Sequence, residues 1–275
     1  MDRRLTPATE RTALRGSGVE RPVTVDGTPM RVAVPLADLC RAPAGARDRQ
    51  VVFGSDVTVI ERRDDWAFVQ AAADGYCGWI AADGLSGERP AITHRVSAPA
   101  THVYPGPGLK LRESAALTLG ARLSVERIDG TFARLAGGGH LPVQHIAATP
   151  AGDPVTVALS LLGTPYLWGG NSRAGIDCSG LVQAALHACA IACPGDSDLQ
   201  EAAFPTVSDP GRGDLLFWPG HVAMVIDAQR MVHATAWAMA VVTEDIAAAR
   251  ARIDAGGDGP FRGARRPLAR PLRFP

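Results

Sequence analysis

A chain of 275 residues is long enough for two or three compact units, and an apolar content of 46% lets a sizeable core form. The formal net charge is zero, with 28 acidic and 28 basic residues, so nothing points to nucleic acid or another polyanion as a partner. Lysine is nearly absent, and with so much Ala, Gly and Pro this looks like the mark of a GC-rich genome rather than of a function.

The amino terminus, MDRRLTPATERTALRG, is charged and has no apolar core segment, so no secretory signal is expected. No apolar run approaches the length of a membrane span, and no membrane partner is expected. There are five cysteines, Cys40, Cys77, Cys178, Cys189 and Cys193. An odd number without framework spacing argues against a disulfide scaffold. A cytoplasmic protein with reduced thiols is the simplest reading.

Residues 1–23 are polar and irregular and read as an arm. From Thr24 to about residue 90 the texture is short strands. VVFGSDVTVIER, DDWAFVQA and GYCGWIAADGL each give alternate apolar positions bounded by turn residues, which suggests a small β-barrel. Residues 91–148 repeat the frame: a glycine, a β-rich stretch ending in Glu-Arg, an aromatic strand, a glycine turn and a closing strand. In this second copy Gly139, Leu141 and Pro142 or their neighbours stand where the first has Tyr76, Gly78 and Trp79, so it reads as a spacer. TPAGDP, covering 149–154, is a linker. Residues 155–275 follow as helix, loop, helix, long loop and strands, which suggests an α+β domain. The first of these helices has Val155, Leu159 and Leu162 at helical spacing and ends at Gly163.

The chemistry gathers at GIDCSGLVQAALHACA. Leu181, Val182, Ala185, Leu186 and Cys189 recur at helical spacing, so a helix starts near Asp177 with Cys178 in its first turn. There the unpaired backbone N–H groups and the helix dipole favour a thiolate and can hold a developing oxyanion. On position alone, a buried inert cysteine explains Cys178 equally well. A base comes from GDLLFWPGHVAMVIDAQRMVHAT. His221, Ala223 and Val225 share one strand face, Asp227–Gln229 form a turn, and MVHAT is the next strand. His221 and His233 then become opposite or diagonal partners, roughly 5–8 Å apart. This is the nucleophile, base and orienter of a cysteine peptidase, against the alternative of two core or rim histidines on a hairpin.

GTPYLWGG, DCSG, GDLLFWPGHVAMV and VHA resemble the NlpC family of papain-like cysteine peptidases, which cleave bacterial cell-wall peptides. The resemblance implies Cys178 as nucleophile, His221 as base and His233 as third member, with no cofactor and no metal. The two barrels resemble bacterial SH3-type domains. The pair ahead of an NlpC-type domain resembles γ-D-glutamyl-L-diamino acid endopeptidases, the dipeptidyl-peptidase VI type of murein peptide recycling. Those act in the cytoplasm on released murein peptides with a free N-terminal L-Ala. The whole is thus expected to be multidomain, two small all-β barrels before an α+β papain-like catalytic domain. By the same resemblance Tyr76, in ADGYCGWI, closes one end of the cleft, where an ordinary barrel aromatic is the plain alternative.

Further substrate contacts follow from the resemblance. Tyr166 matches a position near the oxyanion site, and Asp177 and Ser179 match positions lining the cleft, though helix capping explains Asp177 equally well. PGDSDLQ matches a segment usually written P-R-D-S/A-x-x-Q, which makes Asp196 and Ser197 readers of the substrate ammonium and first peptide unit. Gly195 replaces the usual arginine there, leaving one substrate carboxylate without its bidentate partner. Trp168 reads as a cleft wall or a packing residue. His187, Cys189 and Cys193 form H-x-C-x3-C, which without a fourth ligand reads as structural filler. The competing function is an inactive or weakly active peptide-binding module, or an acyltransferase or amidase on the same catalytic fold.

Overall fold

A computed structural model of the chain describes residues 1–256 and 259–268. Positions 257–258 and 269–275, which fall in the expected span 155–275, lie outside the described residues. The chain divides into one unit of Met1–Thr149 and a second beginning at Pro150. Among the described residues no helix is long and apolar enough to cross a membrane.

In the first unit the alternating stretches become strands of one seven-stranded sheet. They are β1 (Thr28–Val32), β2 (Leu36–Cys40), β3 (Arg47–Val52), β4 (Asp56–Arg63), β5 (Trp66–Ala71), β6 (Cys77–Ala81) and β7 (Leu85–Ser86). Their order is β3-β2-β6-β5-β4-β1-β7. Val57, Val59, Ala67, Val69 and Ile80 are buried, as their period-2 spacing requires. The first residues are more ordered than an irregular arm. Arg3–Leu5 form a 3₁₀ turn, Thr12–Leu14 pairs in parallel with Val23–Val25, and Arg3 grips the buried Asp48 at 2.6 and 3.0 Å.

Residues 94–147 of this unit form three smaller sheets. His94–Val96 lies between Arg122–Leu123 and Ile146–Ala147, and Ala100–Val103 pairs with Ala115–Thr118. Val125–Asp129, Phe132–Leu135 and His140–Pro142 make the third. A separate core of Val96, Val103, Leu117, Leu123, Leu135 and Leu141 fills them.

Among its described residues the second unit places four helices with a six-stranded sheet. The helices are α1 (Pro154–Ser160), α2 (Cys178–Ala188), α3 (Ser197–Ala203) and α4 (Ile246–Gly256). The strands are β8 (Thr206–Val207), β9 (Leu215–Trp218), β10 (His221–Val225), β11 (Arg230–Thr235), β12 (Ala240–Asp245) and β13 (Gly263–Arg265), in the order β8-β13-β9-β10-β11-β12. All labelled neighbours pair antiparallel. Asp153 caps α1, accepting from Val155 and Thr156 N–H, and Pro154 takes the first helical position. The buried face of this segment is Val155, Ala158 and Leu161, not the expected Val155, Leu159 and Leu162. The helix stops at Ser160, so Leu162 falls beyond it and is 40% exposed. Helix α2 is buried along most of its length and packs on β10 and β11.

Candidate active site

Asp177 is the N-cap of α2, and Cys178 is its first residue. Asp177 Oδ1 accepts from Gly180 N–H at 2.7 Å and from the Ser179 hydroxyl at 3.0 Å. Its Oδ2 accepts from Gly169 N–H at 2.8 Å, tying the 165–170 loop to the helix start. The carboxylate is therefore engaged by three protein donors, the capping alternative weighed for it. The glycines of the two motifs let main chain meet main chain. A Cβ on Gly180 would lie 2.4 Å from the Gly170 carbonyl oxygen, and one on Gly170 would lie 2.5 Å from that of Gly175. Side chains at either position would push the helix start away from the loop.

The cysteine sulfur meets strand β10. Its thiol reaches the Gly220 carbonyl at 3.8 Å, and the Val222 N–H also bears on the sulfur. These are the peptide groups flanking His221. Register pairs Met224 with Val232 and Val225 with Met231. Continuing it sets His233 opposite Ala223, diagonal to His221, and the two rings lie 5.1 Å apart. His221 Nε2 and His233 Nδ1 are hydrogen-bonded at 2.9 Å. On the far side, His233 Nε2 meets Glu244 Oε2 at 3.1 Å, and Arg252 holds that carboxylate at 2.7 Å. Neither Glu244 nor Arg252 was marked by the sequence. The available signal was that Glu244 stands two residues from Val242, the register partner of His233.

Burial dominates the electrostatics. The Cys178 thiol is pushed up to about 12 by desolvation, with the Asp177 carboxylate adding to the rise. The N–H groups of Val222, Ser179 and Cys178 pull the other way and lose. The expected thiolate at the helix terminus is thus overturned, because removing a sulfur anion from water costs more than these dipoles return. Burial also pushes Asp177 upward, against its three donors. His233 is pushed down to about 4, first by burial and then by Arg252. Its contact with Glu244 has ion-pair geometry, yet the ring stays neutral, first because burial disfavours its charge and then because the Arg252 cation opposes it.

The other expected site residues divide. The Tyr166 hydroxyl is held protonated by burial first, with Cys178 and Asp177 close enough for their charges to add to the effect. Ser179 is buried with its hydroxyl on Asp177. Asp196 is close enough for its charge to bear on Asp177, and it holds a left-handed φ of 55° beside Ser197, the first residue of α3. A non-glycine residue there is strained, which is common at binding sites. Trp168 stands 67% exposed in the 165–170 loop. Trp218 is buried and packs 5.8 Å from the His221 ring. Tyr76 belongs to the first unit, where it precedes β6, lies buried under the Arg49 guanidinium, and donates its backbone N–H to Asp74 Oδ1 at 3.1 Å.

Gln200 closes the PGDSDLQ segment. Its amide donates to the Ser179 carbonyl at 3.0 Å and the Pro194 carbonyl at 3.1 Å, joining the start of α2 to the segment that carries Asp196. The H-x-C-x3-C stretch is not one helical face, since α2 ends at Ala188 and His187 Nε2 meets the Cys193 carbonyl. Among the described residues no three His, Cys, Asp or Glu side chains gather as a metal site.

Comparison with known proteins adds to this geometry. Residues 39–85 match the family described as bacterial dipeptidyl-peptidase Sh3 domain, and residues 163–250 match the NlpC/P60 family. The gamma-D-glutamyl-L-lysine dipeptidyl-peptidase of Bacillus subtilis (strain 168) is 30% identical over 211 residues, 67% of this chain and 71% of that one. Dipeptidyl-peptidase 6 of Lysinibacillus sphaericus is 31% identical over 219 residues, 68% of this chain and 79% of its own length. The crystal structure of an NlpC/P60 family protein from Bacillus cereus ATCC 10987 superposes with a TM-score of 0.74. At 22% identity, covering 88% of this chain and 100% of that one, it shows a shared fold.

Proposed function

Because the chain belongs to the NlpC/P60 family and is a peptidase, we propose that it hydrolyses the γ-D-Glu–L-diamino acid bond of short cell-wall peptides with a free N-terminal L-Ala. The diamino acid is diaminopimelate or lysine. The observation that carries the chemistry is the line Cys178, His221, His233, with the two rings bonded at 2.9 Å and the sulfur against the peptides flanking His221. The relatives named for γ-D-glutamyl-L-lysine cleavage support the bond chosen.

In this reading Cys178 attacks the γ-carbonyl carbon while its proton passes to His221. The high thiol pKa makes this a transfer during attack rather than from a standing ion pair. N–H groups at the start of α2 and the Tyr166 hydroxyl stabilise the oxyanion. His221 then protonates the departing amine, leaving a thioester. Water, activated by His221, releases the L-Ala-γ-D-Glu product and restores the thiol. Asp196 and Ser197 read the substrate amine and first peptide unit, Ser179 and Trp168 line the cleft, and Asp177 holds the helix start. Tyr76 serves as the ruler for the free amino terminus. Gly195, in place of the arginine of the resembling motif, weakens recognition of one substrate carboxylate.

The two all-β blocks of residues 24–90 and 91–148 are both assigned as SH3-type barrels, ahead of a linker at 149–154 and the catalytic domain. Five free cysteines fit a reducing compartment, and we assign the enzyme to the cytoplasm, in murein peptide recycling. The test uses L-Ala-γ-D-Glu-meso-diaminopimelate and its N-acetylated form, with products read by mass spectrometry and Cys178→Ala as control. Cleavage of the free-amine peptide alone, lost in the variant, is expected. Cleavage of both removes the ruler, and cleavage of neither by protein with an intact thiol removes the substrate assignment.

A further inference from the structure

His233 is fully buried, and both ring nitrogens have partners: Nδ1 faces His221 Nε2 at 2.9 Å and Nε2 faces Glu244 Oε2 at 3.1 Å. Glu244 lies on β12, diagonal to His233, because residues two apart on a strand share a face. Arg252 of α4 closes on the same carboxylate with two bonds, Nε to Oε1 at 3.1 Å and Nη2 to Oε2 at 2.7 Å. Its guanidinium also lies 4.3 Å over the Trp237 ring, which helps fix it. Arg252, Glu244, His233 and His221 therefore form one unbroken line.

We propose that Glu244 and Arg252 are positioning residues that hold His233 as a neutral Nε2–H imidazole and so turn the basic nitrogen of His221 toward Cys178. The inference rests on His221 being the base. A carboxylate gripped by a guanidinium accepts and does not donate, so the hydrogen between Glu244 and His233 sits on His233 Nε2. A neutral imidazole has one N–H, which leaves His233 Nδ1 as an acceptor. The hydrogen in the 2.9 Å contact then belongs to His221 Nε2. His221 keeps its lone pair on Nδ1, the nitrogen not engaged by His233. The opposite tautomer would spend that lone pair on His233 and leave no base for the thiol.

Arg252 has a second effect. A bare carboxylate beside His233 would stabilise the imidazolium, whose Nδ1–H would oppose the Nε2–H of His221. Among the described residues, the groups recorded against His233 are His221 of β10, Glu244 of β12 and Arg252 of α4, and α2, which packs on β11, carries Cys178 and His187. Helix α1, which also packs on β11, carries no titratable side chain. Of these only Arg252 is positioned to cancel Glu244.

The test uses the full chain and needs no substrate. Nitrogen-15 imidazole spectra report the tautomers, and the pH dependence of Cys178 inactivation by iodoacetamide reports the base. In the parent protein both His221 and His233 should appear as Nε2–H forms at neutral pH. Arg252→Met should raise the acid limb of the inactivation profile by at least one pH unit, with recovery at higher pH. Glu244→Ala should mix the His233 tautomers and slow inactivation about tenfold, and Glu244→Gln should restore part of the rate. Should Glu244→Ala fail to fold, Arg252→Met, a partly exposed position, carries the test. An Nδ1–H form of His233, or an unmoved acid limb in Arg252→Met, overturns the proposal. If His221→Ala leaves inactivation unchanged, the assignment of the base itself falls. If His221→Ala slows inactivation while the Arg252→Met profile stays put, only the clamp falls.

Discussion

Cys178 touches the backbone around His221 on both sides: its thiol reaches the Gly220 carbonyl at 3.8 Å, and the Val222 N–H bears on the same sulfur. The sulfur is buried and pushed up to about 12, so the resting group is a thiol. In a His221→Ala protein, where no base takes the proton, reaction of Cys178 with iodoacetamide should therefore rise with pH and show no plateau below about pH 8. Measured rates that level off under pH 7 would mean a standing thiolate and would contradict the burial seen here.

The 2.9 Å bond between the two histidines gives the next expectation. Removing it by His233→Ala frees the His221 ring without touching the substrate. The turnover number should fall about 10²-fold or more while KM stays within about threefold. Steady-state kinetics on the free-amine peptide provide the check, and a rise in KM with unchanged turnover would place His233 in substrate binding instead.

The same ring ties stability to pH. His233 is pushed from 6.5 down to about 4 in the folded protein, so the unfolded chain takes up this proton first. The stability tied to the neutral ring is complete above pH 6.5 and is lost as the pH falls towards 4. The full effect is about 3 kcal/mol. Urea unfolding at pH 7 and pH 5 should show the loss, and His233→Gln should flatten the difference between the two.

Gly180 sets the approach of α2 to the loop before it. With its Cβ only 2.4 Å from the Gly170 carbonyl oxygen, Gly180→Ala must move one backbone or the other. The expected cost is about 1–3 kcal/mol, together with a loss of activity larger than the stability change explains. Thermal melts and turnover measured on one preparation separate the two effects. A variant with parental values in both would refute the close approach.

Much of this site can be read from the chain. A capping aspartate before an apolar helix marks the start at Cys178, and period-2 alternation puts His221 and His233 on one face of a hairpin. What stays hidden is what depends on the third dimension. Glu244 sits in VVTED, where it looks like an exposed strand end, and only the pairing of β11 with β12 brings it to His233. Arg252 arrives from a helix after the sheet is complete. The state of the thiol escapes for the same reason, since a helix terminus is visible in sequence and the depth of its burial is not. The inward face of α1 is misjudged by one residue because the helix ends at Ser160, before Leu162 is reached.

Both histidines ride on a single hairpin, whose turn is closed by Asp227 accepting from the N–H groups of Gln229 at 3.0 Å and Arg230 at 2.9 Å. Their mutual spacing is thus a local property of two adjacent strands. The sulfur comes from elsewhere and meets them only when α2 lies on the sheet. A molecule that loosens this one helix keeps its histidine pair and falls hydrolytically silent, so peptide cleavage works as an all-or-none report on the docking of a single helix.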